Sequence, residues 1–395
     1  MRLNYRWQVL AFAVIMQALI IGIGVYCFAF FVVHWVEEFN VPRSELMLGY
    51  MGMTLMAGVL APFSGILIDK FQSRWVITFG VATYTLGLLA VSMAPAAVAI
   101  NLIFWLVMPL GMALAGPLMA QTLVAQAFDS KRGMALGICA LGTSVGGLIM
   151  PVVATTMLTH MAWRPAMASL AIVISVVILP LAFVIVRTRE KVTSHSDSKP
   201  AITTREILRN KDVYLLGVAY FVPASLFVAV LQNMGLYAQD LAIPQQQAGF
   251  IVGGAALVMA VGKFAAGSLA DRISHHTIYY TLLGLATVGM IAVATSKSFV
   301  PLASGVLLLA ATAGGVLPLV STAAAQRFGI ANFGRAMGVI MGFGSLSGVA
   351  PLTAGWIRDY SGSYEVSFLV LAPLMLPALI CFSRLKKHQA EPALA

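Results

Sequence analysis

The sequence predicts an all-α membrane protein: twelve transmembrane helices in two pseudo-symmetric six-helix bundles, with both termini cytoplasmic. Three observations predict it. Apolar runs of about 20 residues recur along the chain, each long enough to cross a hydrocarbon core of about 30 Å. The basic residues are distributed very unevenly over the loops between those runs, and the second half of the chain repeats the plan of the first.

The runs come first. Of 395 residues, 60% are hydrophobic and only 10% charged, against roughly a quarter charged in soluble domains. Apolar runs fall at 8–34, 45–68, 75–93, 98–127, 133–158, 164–186, 213–238, 248–270, 277–295, 299–326, 335–356 and 365–383, which leaves few residues for a globular domain. The first run is too long for a signal peptide and no small-residue cleavage site follows it, so it is expected to stay as a span. Cys27, Cys139 and Cys381 all lie inside runs and read as small packing residues, with no disulfide, metal or redox pattern. The Met-rich stretch MLGYMGMTLM (47–56) reads as packing, and His34 beside Trp35 as interfacial.

A net charge of +10 raises the question of a nucleic-acid partner, and the placement of the charge answers it. With the N-terminus inside, the inner loops and termini hold 19 of the 24 Lys and Arg, while the outer loops hold Arg43, Arg164, Lys297 and Arg358. That asymmetry is the positive-inside pattern of a multi-pass protein. The partners it implies are a lipid bilayer and no nucleic acid, in a plasma membrane, or the inner membrane of a Gram-negative cell.

The repeat has an offset of about 200 residues. The second run ends GILIDKFQSR (65–74) and the eighth ends GSLADRISHH (267–276); Pro117, Gly142 and Pro151 have counterparts in Pro318, Gly342 and Pro351. The polar, basic stretch TREKVTSHSDSKPAITTREILRNKD (188–212) joins the halves. The expected organisation is therefore an N-terminal six-helix bundle (1–187), a solvated linker (188–212), a C-terminal bundle (213–388) and a tail (389–395). Two related bundles around a central path suit a site that faces each side of the membrane in turn.

Asp69 and Asp271 each end a helix, the unfavourable end of the helix dipole for an anion. They are expected to find partners elsewhere when that side closes, in the first turns of the eleventh and fifth runs or in Arg335 and Arg132; with Arg74 and Arg272 they form a candidate gate. The glycines of the fifth run (Gly133, Gly137, Gly142, Gly146, Gly147) and the eleventh (Gly334, Gly338, Gly342, Gly344, Gly348) fit close helix packing.

All 14 acidic residues lie at run ends or in loops, so Lys263, inside the eighth run, has no protein counter-ion in view. It lies eight residues before Asp271, about 12 Å along a helix, and its side chain leans toward the outer face, so snorkelling to the inner surface works against its direction. A cation in the hydrocarbon without a protein anion is best explained by an anion that arrives. Polar groups inside other runs include Tyr26, Gln121, Tyr220, Gln232, Asn233 and Thr312, each a candidate for a polar path and each equally readable as a locally bonded helix residue.

The repeated G-x-L-x-D-[KR] motif (Gly65, Leu67, Asp69, Lys70; Gly267, Leu269, Asp271, Arg272), in a six-plus-six plan, resembles the signature of the major facilitator superfamily over nearly the whole chain. Residues 20–47, together with Gly262, Lys263, Gly267, Leu269 and Asp271, resemble the monocarboxylate transporter and oxalate/formate antiporter branch, in which a basic residue of the eighth span binds the substrate carboxylate. The resemblance implies that Lys263 takes that role and that spans 1, 4, 7 and 10 line the path. It also has limits. The span-1 lysine and the acid one turn before the span-8 cation, found in animal members, correspond to Tyr26 and Met259 here. The span-11 lysine of oxalate exchangers is missing between Gly338 and Trp356.

One cation suits one carboxylate. The expected function is thus secondary transport of a small organic anion, a monocarboxylate before a dianion, by a chain working as a monomer without cofactor or metal. With no acid inside a span, a co-transported proton has only the substrate or the Lys263 amine to ride on. The rivals are an exporter or importer of amphiphilic compounds, such as drugs or siderophores, and a non-transporting membrane sensor. No span supplies a nucleophile, paired carboxylates or a metal set, so an enzyme is not expected.

Overall fold

The computed structural model describes residues 2–128, 132–186, 204–270 and 273–385, and among these every regular element is helical. Twelve helices are long and apolar enough to cross a membrane: span 1 Tyr5–Phe39, span 2 Arg43–Ala61, span 3 Ser73–Ser92, span 4 Ala97–Ala127, span 5 Met134–His160, span 6 Trp163–Ile185, span 7 Lys211–Gln232, span 8 Gln245–Leu269, span 9 His275–Ala294, span 10 Phe299–Phe328, span 11 Arg335–Ser361 and span 12 Tyr364–Ser383. An even number of crossings places the first and last described residues on one face, here called the terminal face; the opposite one is the distal face.

Several spans are irregular where residue chemistry demands it. Span 4 is broken at Val107 and again at Gly116, in front of Pro109 and Pro117, which have no N–H to continue the ladder. Span 11 tightens into a 3₁₀ segment over Phe343–Gly348, where three glycines fall within seven residues from Gly342. Span 7 bends at Asn233 and continues as a short helix, Met234–Asp240. Part of the linker is ordered: Thr204–Arg209 is a helix that buries Ile207 and leaves Leu208 exposed. Residues 187–203 and 386–395 lie outside the described residues, and with them the linker from 188 to 203 and the whole tail, 389–395.

Span 1 holds a π-helical turn at Gly22–Tyr26. Its cause lies next to it. Gly24 is pressed against the hydroxyl of Tyr84, which donates to the Ile20 carbonyl at 2.8 Å, so the bulge makes room for a buried phenol and that phenol satisfies a carbonyl beside it. A Cβ at Gly24 would fall on the Tyr84 hydroxyl. Gly24→Ala is therefore expected to cost about 2 kcal/mol by overpacking, read as a lower melting midpoint in detergent. Part of that loss should vanish in a Tyr84→Phe background, since the two sites share one contact; simple additivity of the two changes would disprove the coupling.

The two bundles meet toward the distal face, along two pairs of spans and also where Ala29 and Val33 of span 1 press on Gly235 in the short helix after span 7. Span 5 meets span 8 at Thr155 with Gly249, at Leu148 with Gly253, and at Gly147 with Ala256, where a Cβ on Gly147 would stand 2.8 Å from the alanine methyl. Span 2 meets span 11 at Ser44 and Met47 with Gly355, at Met51 and Thr54 with Gly348, and at Gly58 with Ser345. Nearer the terminal face the series stops. Gly137, Gly338 and Gly342 have no heavy atom within 4 Å of where a Cβ would be, and Ala61, Phe63 and Met341 are exposed. The path between the bundles is closed on the distal side and open toward the terminal face.

Candidate functional site

Lys263 lies on span 8 two turns beyond Ala256, the last residue of that helix in the seal. Ala256, Met259 and Lys263 share one helix face by the i, i+3, i+7 rule. The face they share looks across to span 1, because the Tyr26 hydroxyl donates to Met259 Sδ at 3.8 Å and the Tyr26 ring touches Gly147. Lys263 is half-buried and makes no hydrogen bond or ion pair with any described residue. A cation therefore sits just below the seal, at the closed end of an open path, one turn beyond the Met259 that Tyr26 touches. Desolvation makes an unpaired charge costly at such a position, and an incoming carboxylate relieves that cost.

The other candidates separate into two groups. Gln232 is fully buried near the distal end of span 7, and neither its amide nitrogen nor its amide oxygen has a hydrogen-bond partner among the described residues. Tyr220 has its ring beside Gly344 of span 11, Gln121 is on the exposed side of span 4, and neither the Tyr220 hydroxyl nor the Gln121 amide is bonded among the described residues. Tyr26, Gln121, Tyr220 and Gln232 thus keep polar capacity in reserve.

Asn233 and Thr312 do not: their side chains are taken up in hydrogen bonds within one bundle, the local reading that the sequence left open for each. Asn233 donates to the Ala229 and Pro351 carbonyls at 2.9 and 3.2 Å and accepts from the Tyr364 hydroxyl at 2.9 Å, so it binds spans 7, 11 and 12 together. Thr312 donates to the Leu282 carbonyl at 2.8 Å, fastening span 10 to span 9. Both act inside one bundle. Asn233→Leu is expected to cost about 2–3 kcal/mol by orphaning the buried Tyr364 hydroxyl and the Pro351 carbonyl. Its effect should be on the melting midpoint, with substrate half-saturation unchanged; a shifted half-saturation at normal stability would return Asn233 to the path.

Two further candidates escaped the sequence reading. Tyr50 of span 2, inside the Met-rich stretch assigned to packing, is buried beside Gln232 and near Tyr26. Ser144 of span 5, hidden among glycines, is buried with its hydroxyl unbonded, one turn from Gly147 on the same face. The signal available for both was a polar atom at helical spacing from a small residue in the seal.

Of the gate residues, Arg74 donates to the Val186 carbonyl at 2.6 and 2.9 Å and lies over the Phe183 ring, so here it holds span 3 to the end of span 6 within its own bundle. Arg335 is exposed at the start of span 11. Asp271 and Arg272, and the side chains of Asp69 and Arg132, lie outside the described residues.

The ionic closure that the structure does contain is on the distal face. Arg43, at the first turn of span 2, grips Asp240 beyond span 7 with two bonds of 2.6 and 2.8 Å, and Arg358 of span 11 reaches the same carboxylate at 3.2 Å. Asp359 accepts from the backbone N–H groups of Arg43 and Ser44 at 3.3 and 2.9 Å, capping span 2 from the other bundle. Gln239 donates to Glu37 at 2.6 Å. Three links thus cross between the bundles over the seal.

The family model for the Major Facilitator Superfamily matches residues 14–241 and 226–394. Monocarboxylate transporter 13 of Bos taurus is 24% identical over 96% of this chain and 91% of its own length. Among solved structures, a mutant of the nucleoside transporter NupG superposes with a TM-score of 0.82 at 10% identity, over 97% of this chain and 100% of that one. A bacterial homologue of the human lysosomal transporter Spinster, in an inward-facing and occupied conformation, gives a TM-score of 0.80 at 14% identity, over 98% and 99% of the two chains. At such identities these structures speak for the fold alone.

Proposed function

The chain belongs to the major facilitator superfamily, and from that premise we propose that it moves a small organic anion, a monocarboxylate before a dianion, across the plasma membrane by alternating access. That it is a multi-pass transporter follows from the family and the twelve spans; the substrate class is the further step. The observation that carries it is Lys263, an unpaired, half-buried cation at the closed end of the path. The likeness to a protein named monocarboxylate transporter 13 supports the same reading.

The positive-inside pattern assigns the terminal face to the cytoplasm, so the open path faces inward and the Arg43–Asp240 closure faces out. Lys263 offers one point charge rather than a bidentate fork, which suits a single carboxylate of undemanding shape. The proton is proposed to travel with the anion, either on the substrate or as the ammonium proton of Lys263. In the second case the loaded carrier holds a carboxylate–ammonium pair and the empty carrier a neutral amine.

Purified protein in proteoliposomes, tested against labelled mono- and dicarboxylates, cationic amphiphiles and siderophores with external pH recorded, examines each part. Saturable monocarboxylate uptake with alkalinisation outside is expected. Uptake without a pH change would remove the proton from the scheme, and transport of amphiphiles with no carboxylate uptake would replace the function.

A further inference from the structure

Above Lys263, on the distal side of Tyr26, the path holds a second set of polar groups without any charge. Gln232 is 0% exposed with both ends of its amide unbonded among the described residues. Ser225, two turns earlier on the same face of span 7, is buried with its hydroxyl unbonded as well. Tyr50 comes from the opposite bundle, near Tyr26, and its phenol is close enough to interact with the Gln232 amide without completing a hydrogen bond of good geometry. All of this lies under the distal closure, since Asp240 is eight residues past Gln232, about 12 Å along a helix.

Buried amides are satisfied as a rule, and this one has only the neighbouring Tyr50 phenol to offset its lost hydration. The loss belongs to this state alone. When the distal side opens, spans 2 and 7 draw apart and the amide and the phenol face an aqueous funnel from opposite walls. An amide N–H and a phenol O–H are two donors, a fit for the two oxygens of a carboxylate.

We infer that Gln232 and Tyr50 form an outer station of the path, separate from Lys263, which takes the carboxylate of the entering anion while the distal side is open. Closing the distal side strips this station and leaves Lys263 as the place where the charge is met. The station is uncharged, so it holds the anion weakly enough to release it inward. This rests on the anion-transport reading above, and it also contributes to the access equilibrium: burying the unbonded amide disfavours the distal-closed state.

The test compares the two sides of the membrane. Full-length protein is assayed in right-side-out and inverted vesicles with labelled lactate as the probe, in wild type, Gln232→Leu and Tyr50→Phe. For Gln232→Leu the half-saturation concentration on the distal side should rise about tenfold while that on the terminal side stays within about twofold; Tyr50→Phe, which keeps its ring, should give the same asymmetry at about threefold. A second readout needs no substrate. Spin-label distances across the distal face should show Gln232→Leu shifted toward the closed population, because closure no longer buries an amide. Half-saturation that changes equally on both sides, or on neither, overturns the station. If lactate is not carried at all, the transport reading falls, and the distance shift still decides whether the station biases access.

Discussion

Lys263→Ala should lower the transport efficiency for a monocarboxylate about 100-fold, the equivalent of about 3 kcal/mol. A charge-assisted hydrogen bond contributes about 1.5–3 kcal/mol, and the anion left without its cation in a poorly solvated path adds to the loss. Lys263→Arg keeps the charge in a larger planar group, so it should retain measurable uptake with altered preference among carboxylates. Stability should move in the opposite direction. A lysine inside a span is unfavourable by about 2.5–3.5 kcal/mol on insertion scales, whether its charge is desolvated or its proton is given up, so Lys263→Met should raise the melting midpoint of the empty protein in detergent. Initial rates of labelled uptake together with thermal unfolding separate these effects. Normal anion transport by the alanine variant would refute the site.

Asp240→Asn should shift the protein toward the distal-open state. One carboxylate there serves Arg43 and Arg358, with Arg43 held bidentately at 2.6 and 2.8 Å. Its neutralisation leaves two guanidinium groups close together with no anion between them. The arginine and aspartate side chains retain 11% and 24% of their exposure, so the links are worth less than buried pairs, and about 1–2 kcal/mol is a fitting scale for the change. That is about a tenfold shift in the ratio of closed to open states, read as a longer distance between spin labels on the loops after spans 1 and 7. The exchange Arg43→Asp with Asp240→Arg should restore part of the closure. Unchanged distances in the single variant would show that small-residue packing alone holds the seal. High salt should act in the same direction as Asp240→Asn, since the links are open to water and screened beyond a Debye length of about 10 Å at 0.1 M.

The architecture was legible in the sequence because bilayer thickness, loop charge and internal repetition leave strong one-dimensional traces. Lys263 was legible for a related reason, as a lone charge stands out against 60% hydrophobic composition. Hydrogen-bond partners leave no such trace. Asn233 and Gln232 are adjacent amides on one span, and only packing shows that the first is fully bonded and the second unbonded. Tyr50 was masked by its methionine neighbours, and Ser144 by glycines whose spacing already had an explanation. The distal links were hidden differently. Arg43 and Arg358 were read for what they say about topology, while their shared acid lies 197 and 118 residues away in sequence. Asp359 capping a helix of the other bundle is a tertiary event that no local rule announces.

The π-helical turn at Gly22–Tyr26 has a consequence for lineage as well as for packing. Such a turn is an α-helix carrying one surplus residue, so every side chain beyond it is rotated by about 100° from where an uninterrupted helix would place it. Tyr26 is directed at Met259 by that surplus. Relatives without the turn would present a different neighbour at the same depth, and an alignment that allows no gap there pairs the wrong residues across the rest of span 1. A one-residue deletion among these glycines would exchange the wall of the path without altering any side chain's chemistry, a short mutational route between carriers that share a scaffold and differ in cargo.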